Sequence, residues 1–287
     1  MLSVKARAKV NLTLRVTGKR ADGYHFLQSL VCFPDVGDLL EIEAAATLTL
    51  AQAGPFAEAL GPVEDNLVLR AAAALQQQAE VEKGAAIRLA KNLPVAAGVG
   101  GGSADAAAVL KGLMALWEIE ETAVDLPALA LSLGADVPVC LAGQPTLVAG
   151  IGEDLTPLAP LPALGILLVN PRQALATAAV FKAHWDDFSA PEDWSDLPDD
   201  GAAFVARLAA SANDLEAAAC RVLPVVDDVL DRLRVLPGCR LARMSGSGAT
   251  CFGLFTTLEE AKAAAADLGA TAPDWWHAAA PLAEALP

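Results

Sequence analysis

The residues best suited to chemistry lie in one short run. From Pro94 the chain reads Pro94, Val95, Ala96, Ala97, Gly98, Val99, Gly100, Gly101, Gly102, Ser103 and Ala104. Glycines let a backbone approach a ligand closely and turn its N–H groups toward an anion. A helix expected to begin near Ser103 adds unpaired N–H groups and the positive end of its dipole. That combination suits a phosphate cradle. The same residues also fit a flexible loop with Ser103 as an ordinary N-cap. Two familiar phosphate loops are excluded. The only Gly-Lys pair, Gly18-Lys19, is followed by Arg20 and not by Ser or Thr, and the sixth position counted from Gly98 is Ser103 where a dinucleotide fingerprint requires glycine.

Two further groups could act on such a ligand. Asp136 follows a helix stop at Gly134 and precedes Pro138, so it should open a short helix. An N-cap aspartate needs no other role. A carboxylate kept charged by a helix end can also orient and deprotonate a hydroxyl, an effect of about 10²–10⁴ in rate. Tyr24, the single tyrosine, and His25 follow a Gly-Lys-Arg-Ala-Asp-Gly turn at 18–23. They fit a turn aromatic beside a surface histidine. They equally fit a stacking platform for a base with an imidazole at its edge, worth roughly 1–3 kcal/mol per base.

The elements that must hold these groups follow from periodicity. Apolar residues at 8, 10, 12, 14 and 16 predict a strand with Lys9, Asn11, Thr13 and Arg15 on its other face. Leu39–Ile42 and Thr47–Ala51 read as strands, and Asp65-Asn66 as the cap of a helix from Leu67 to about Ala79. A short strand, Ile87–Ala90, leads into the glycine run. Beyond it Val109, Leu113, Leu116 and Trp117 share a helix face. A helix over Leu126–Leu133 stops at Gly134. Prolines and glycines thicken at 144–162, which predicts a division into lobes at 1–150 and 151–287. In the second lobe Ile166–Val169 reads as a buried strand. Helices follow at about 202–210, 213–234 and 259–268. Strands Arg240–Met244 and Thr250–Phe255 flank a second glycine loop, Ser245-Gly246-Ser247-Gly248. Residues 185–201 hold seven acids, two tryptophans and no base, and read as an exposed, poorly ordered insertion. Strand runs followed by helix runs predict an α+β chain in two lobes.

Composition excludes several classes. A net charge of −15 argues against a nucleic-acid partner. Six of the 20 basic residues nevertheless fall in the first 20 positions with no acid among them. This fits a solvated strand edge or an attractive patch for a small polyanion. No apolar run reaches the roughly 18 residues of a membrane span, and Lys5, Arg7 and Lys9 interrupt any leader. The five cysteines (32, 140, 220, 239 and 251) and three histidines have no metal-ligand spacing, and the expected compartment is a reducing cytoplasm.

Taken together, Ala8-Lys9-Val10-Asn11-Leu12, Gly18–His25, Leu93–Ala104, Gly134–Pro138 and Ser245–Ala249 resemble the GHMP small-molecule kinases through nearly the whole chain. The resemblance fades at 185–210 and after 270. It implies an N-terminal lobe like domain 2 of ribosomal protein S5 and a ferredoxin-like C-terminal lobe. It implies ATP and Mg²⁺, with ATP on Pro94–Ala104 and catalysis by Lys9 and Asp136. The segment Gly18–His25 points to the members that phosphorylate the 2-hydroxyl of a cytidine-diphosphate-linked branched tetritol in non-mevalonate isoprenoid synthesis. On that reading Tyr24 and His25 bind the cytosine, Phe181 is a second aromatic opposite Tyr24, Thr177 and Asn11 line the cleft, and Gly246 and Gly248 close over the phosphates. The partners implied are these small molecules, with no nucleic acid or membrane, and a monomer or weak homodimer. A homoserine or mevalonate kinase would leave Tyr24-His25 without a task, and a non-catalytic nucleotide binder would not need Lys9 and Asp136. Arg7, Ala97 and Ala104 depart from the usual proline, glycine and second serine. With Asp105 in the first helical turn, they bear on metal coordination more than on the reaction.

Overall fold

The computed structural model describes residues 1–185 and 187–282. Asp186 of the acidic insertion and the last residues of the expected C-terminal lobe, 283–287, lie outside them. The chain opens with β1 (Leu2–Arg7), β2 (Val10–Asn11), β3 (Arg15–Lys19), β4 (His25–Cys32), β5 (Gly37–Ala45) and β6 (Thr49–Ala53). Next come α1 (Leu67–Gln78), β7 (Gly84–Ala90), α2 (Gly101–Trp117), α3 (Leu126–Leu133) and α4 (Val137–Ala142). Strands β8 (Thr146–Gly150), β9 (Asp154–Pro157) and β10 (Gly165–Asn170) precede α5 (Thr177–Ala183), α6 (Gly201–Ala209), α7 (Glu216–Val222) and α8 (Val225–Arg234). The described chain closes with β11 (Leu241–Met244), β12 (Cys251–Phe255), α9 (Leu258–Thr271) and β13 (Trp276–Pro281).

These elements form two compact units that alternate along the sequence, whereas the expected lobes are each contiguous. The first unit comprises Met1–Ala8, Gly37–Val95 and Gly100–Gly143. Its sheet has the order β1-β5-β7-β6, antiparallel except for the parallel β6–β7 pair. Leu40, Ile42, Ile87 and Leu89 bury one face, and α2 packs on β1 and β5. The run Ala104–Ala108 keeps that helix slim, and α1 lies against it. Asn66 caps α1 as its position predicts, its side chain accepting from the Val68 N–H at 2.9 Å. Asp125 does the same for α3 through Ala128.

The second unit comprises Lys9–Val36, Ala96–Val99 and the described residues from Gln144 onward. One of its sheets has the order β2-β4-β8-β9, with β3 also paired to β4. The other has the order β11-β12-β10-β13 and is antiparallel throughout. Strands β10, β11, β12 and β13 with helices α8 and α9 make a βαββαβ run, the layout of a ferredoxin-like lobe. Its core holds Leu167, Val169, Val229, Leu233, Phe255 and Leu268, and Trp275 packs against that core.

Three expectations are corrected. The helix expected over 213–234 is broken into α7 and α8 at Pro224, which has no N–H to continue a helix. The strand expected over 8–16 is interrupted: Leu14 leaves β4 and bridges to Asn213. The acidic insertion has little regular structure, yet much of it is pinned. Trp194 is buried, its ring under the Arg207 guanidinium. Gln28 Nε2 donates to the Glu192 carbonyl, and the Glu192 N–H donates back to Gln28 Oε1.

Candidate active site

Lys9 is set against the first glycine loop by its main chain, whose N–H donates to the Val99 carbonyl at 2.9 Å. Lys9, Asn11 and Thr13, expected together on one face of the opening strand, are not solvated. All three are buried. The Asn11 N–H donates to Ser245 Oγ at 3.0 Å, and Ser245 Oγ donates to the Gly98 carbonyl at 3.0 Å. The Thr250 N–H donates to the Ala97 carbonyl at 3.1 Å. Gly98 is obligatory here: φ is +74°, and a Cβ would stand 2.6 Å from the carbonyl oxygens of Ser245 and Gly248. Lys9, Asn11, Ala97–Val99 and Ser245–Gly248 are thereby one cluster. Asn11 Nδ2 donates to Ser29 Oγ at 2.7 Å, while its Oδ1 is buried without a hydrogen-bond partner.

Two anchors hold the second loop. Asn213 Nδ2 donates to the carbonyls of Met244 and Gly246, each at 2.8 Å. The buried Arg243 guanidinium donates to the carbonyls of Leu12, Leu208 and Ser211. Burial pushes its pKa down, although Glu216 and Glu192 oppose this.

In the first unit, Gly100 caps α2 in the left-handed conformation and the helix begins at Gly101. Ser103 is therefore in the first turn and is not the N-cap. The opening N–H groups of α2 have no intrahelical acceptors, so this end suits an anion. Pro94 and Val95 lead into the loop and Ala104 lies in the same first turn as Ser103. Asp105 does not face an open phosphate site. It is buried, with Oδ2 2.6 Å from Lys91 Nζ, and Lys91 Nζ is 2.5 Å from Asp38 Oδ2. Burial raises the Asp105 carboxyl to about 7 against the opposing pull of Lys91, with Asp38 adding to the rise. Burial lowers Lys91, but the two carboxylates outweigh it and hold the ammonium protonated. Asp136 occupies the N-cap position of α4, yet its side chain makes no capping hydrogen bond, so the cap alone does not account for it.

The second unit also contains a cavity of about 860 Å³. Tyr24, His25, Thr177 and Phe181 line it, as do Lys19, Lys182 and His184. A tight turn closed by Arg20 N–H to the Tyr24 carbonyl sets Tyr24 at its edge, 65% exposed. The stacked rings are His25 and Phe181, with centroids 5.0 Å apart and planes 24° from parallel. His184 meets His25 edge-on at 6.4 Å. Sequence reasoning missed His184, which has no motif around it, and the lysines. One side-chain contact leads from the cavity to the glycine loops: the hydroxyls of Thr177 and Ser247 are 2.8 Å apart.

The family described as GHMP kinases N terminal domain matches residues 66–144, and GHMP kinases C terminal matches residues 202–274. A 4-diphosphocytidyl-2-C-methyl-D-erythritol kinase of Paramagnetospirillum magneticum is 53% identical over 280 residues, 98% of each chain. The crystal structure of a 4-(cytidine 5'-diphospho)-2C-methyl-D-erythritol kinase superposes with a TM-score of 0.82 at 38% identity, covering 99% of this chain and 100% of that one. A homoserine kinase from Cytophaga hutchinsonii has a TM-score of 0.70 at 18% identity, covering 98% and 95%, and shares the fold.

Proposed function

This chain belongs to the GHMP kinase family, among 4-diphosphocytidyl-2-C-methyl-D-erythritol kinases, and from that footing we propose that it transfers the γ-phosphoryl group of ATP to the 2-hydroxyl of 4-diphosphocytidyl-2-C-methyl-D-erythritol. The observation that carries this reading is the Thr177–Ser247 contact, which joins a cavity lined by aromatic rings and imidazoles to the glycine loops.

The loop N–H groups and the start of α2 bind the triphosphate. Lys9, backed onto Val99, supplies positive charge where negative charge grows on the transferring group. Asp136 orients the substrate hydroxyl and takes its proton. The hydroxyl oxygen bonds to the γ-phosphorus, the bond from that phosphorus to the β–γ bridging oxygen breaks, and ADP leaves with the electron pair. Positioning and electrostatics supply most of the catalysis in such a transfer. Tyr24, His25 and Phe181 hold the cytosine, with Thr177 and Asn11 toward the methylerythritol end. Gly246 and Gly248 allow the second loop to close over the phosphates.

No cluster of three His, Cys, Asp or Glu side chains forms a metal cage among the described residues. Mg²⁺ is commonly carried on nucleotide phosphates with several of its waters retained, so it needs no dedicated protein cage. When bound, it neutralises triphosphate charge; the loop and Lys9 hold the phosphates that carry it. No described helix is long and apolar enough to cross a membrane. We place the enzyme in the cytoplasm, as a monomer or weak homodimer.

ADP release with the cytidine substrate, homoserine and mevalonate tests the assignment. Turnover with the cytidine compound alone supports it. Turnover with either other alcohol at a comparable rate overturns it.

A further inference from the structure

Three charged side chains are buried together at the base of the first glycine loop, in the first unit. Lys91, Asp38 and Asp105 are 2%, 0% and 3% exposed. None has a part in the phosphoryl transfer above. With both carboxyls ionised, two carboxylates against one ammonium leave a net negative charge in the interior, which costs free energy. An arrangement kept at that cost invites a search for what it positions.

The contacts are all at the two ends of the loop. Asp38 Oδ1 accepts the N–H groups of Asn92 and Leu93, at 2.5 and 2.8 Å, and so fixes the chain where it enters the loop. The Lys91 main chain is held too, its N–H donating to Ala53 and its carbonyl accepting from Phe56. Asp105 lies where the loop has become α2. Its Oδ2 accepts from Lys91 Nζ, and its Oδ1 is buried without a hydrogen-bond partner. The ammonium also underlies the start of the helix: a Cβ on Gly101 would stand 3.1 Å from Lys91 Nζ.

Resting on the nucleotide reading of that loop, we propose that Asp105 is a positioning residue for ATP: by accepting the Lys91 ammonium it clips the end of the loop to its beginning and fixes the opening turn of α2. Lys91 remains matched by Asp38 when Asp105 is removed, so the interior is then electrically balanced. Loss of Asp105 should loosen the loop without weakening the fold, a separation of function from stability that a purely structural ion pair would not give.

The test is steady-state kinetics and thermal unfolding of Asp105→Ala and Asp105→Asn. Asp105→Ala should raise the KM for ATP about tenfold and keep the KM of the cytidine substrate within about twofold. Its Tm should be no lower than wild type. Asp105→Asn should restore the ATP KM, because its amide oxygen still accepts from Lys91. An unchanged ATP KM in Asp105→Ala overturns the inference, and so does a rise of both KM values with a fall in Tm. Amide hydrogen exchange of residues 96–103 in the wild type, with and without ADP, reads the loop assignment separately. Absence of protection there defeats the nucleotide reading itself. Protection together with an unchanged KM in Asp105→Ala defeats only the clip.

Discussion

Thr177 and Ser247 share a hydrogen bond of 2.8 Å that ties the first turn of α5 to the second glycine loop. Thr177 lines the cavity. Ser247 lies between Gly246 and Gly248, and Gly248 packs directly on Gly98. The hydroxyl pair is therefore a direct link between the cavity and the second glycine loop, which on the proposed reading serve the cytidine substrate and ATP. Ser247→Ala should lower kcat/KM for the cytidine substrate by about tenfold and leave the ATP KM in place. In a double-mutant cycle, adding Ser247→Ala to Thr177→Ala should cost nothing further. Fully additive losses would show that the two hydroxyls act separately.

The stack of Phe181 on His25 gives a second expectation. Phe181→Ala removes a face of the pocket, and Tyr24→Ala removes the exposed ring at its edge. Each should raise the KM for the cytidine compound about tenfold, the range of one base–aromatic stack, with the ATP KM unchanged. Equal rises in both constants, measured with the other substrate saturating, would place the base elsewhere.

Arg243 reaches three carbonyls from separate stretches of chain, those of Leu12, Leu208 and Ser211. Arg243→Met takes the guanidinium donor from all three carbonyls in a buried place. The expected loss is about 3 kcal/mol in urea unfolding. Arg243→Lys should recover only part, since an ammonium lacks the planar fork. A change below about 0.5 kcal/mol would mean that water takes over the three carbonyls.

The Asp105 carboxyl, raised to about 7 by burial, makes a further prediction with a definite sign. Between its unfolded value near 3.8 and about 7, the folded chain keeps a proton that the unfolded chain has lost. Stability from this group therefore falls as pH rises through that window and is level above it. Asp105→Asn should gain on the wild type by up to about 1 kcal/mol per pH unit from pH 4 to 7. Parallel stability curves for the two proteins would contradict the shift.

Much of the site was legible in the residues themselves. Gly98 marks a loop because little else allows backbone to pack so closely, and Asn66 marks a helix start by its capping hydrogen bond. Alternation from Ala8 to Val16 did not reveal that Lys9, Asn11 and Thr13 are buried, since nothing local says that a distant loop at Ser245 will meet Asn11. The Lys91–Asp38–Asp105 group was beyond reach for a similar reason. Its members are 53 and 14 positions apart, and only the pairing of β5 with β7 brings Asp38 beside the strand that leads to Lys91. The acids of 185–201 read as a solvated run. Glu192 and the ring of Trp194 find partners in Gln28 and Arg207, which composition does not reveal. The break at Pro224 had a clear local signal, the missing N–H of proline, which the apolar periodicity around it obscured.

The account depends most on Asp136 as the group that handles the substrate hydroxyl. Its most direct test is kcat of Asp136→Asn on 4-diphosphocytidyl-2-C-methyl-D-erythritol at saturating ATP, with nucleotide affinity measured alongside. The prediction is a fall of about 10²–10⁴ in turnover with ATP affinity nearly unchanged. Turnover equal to wild type would contradict it.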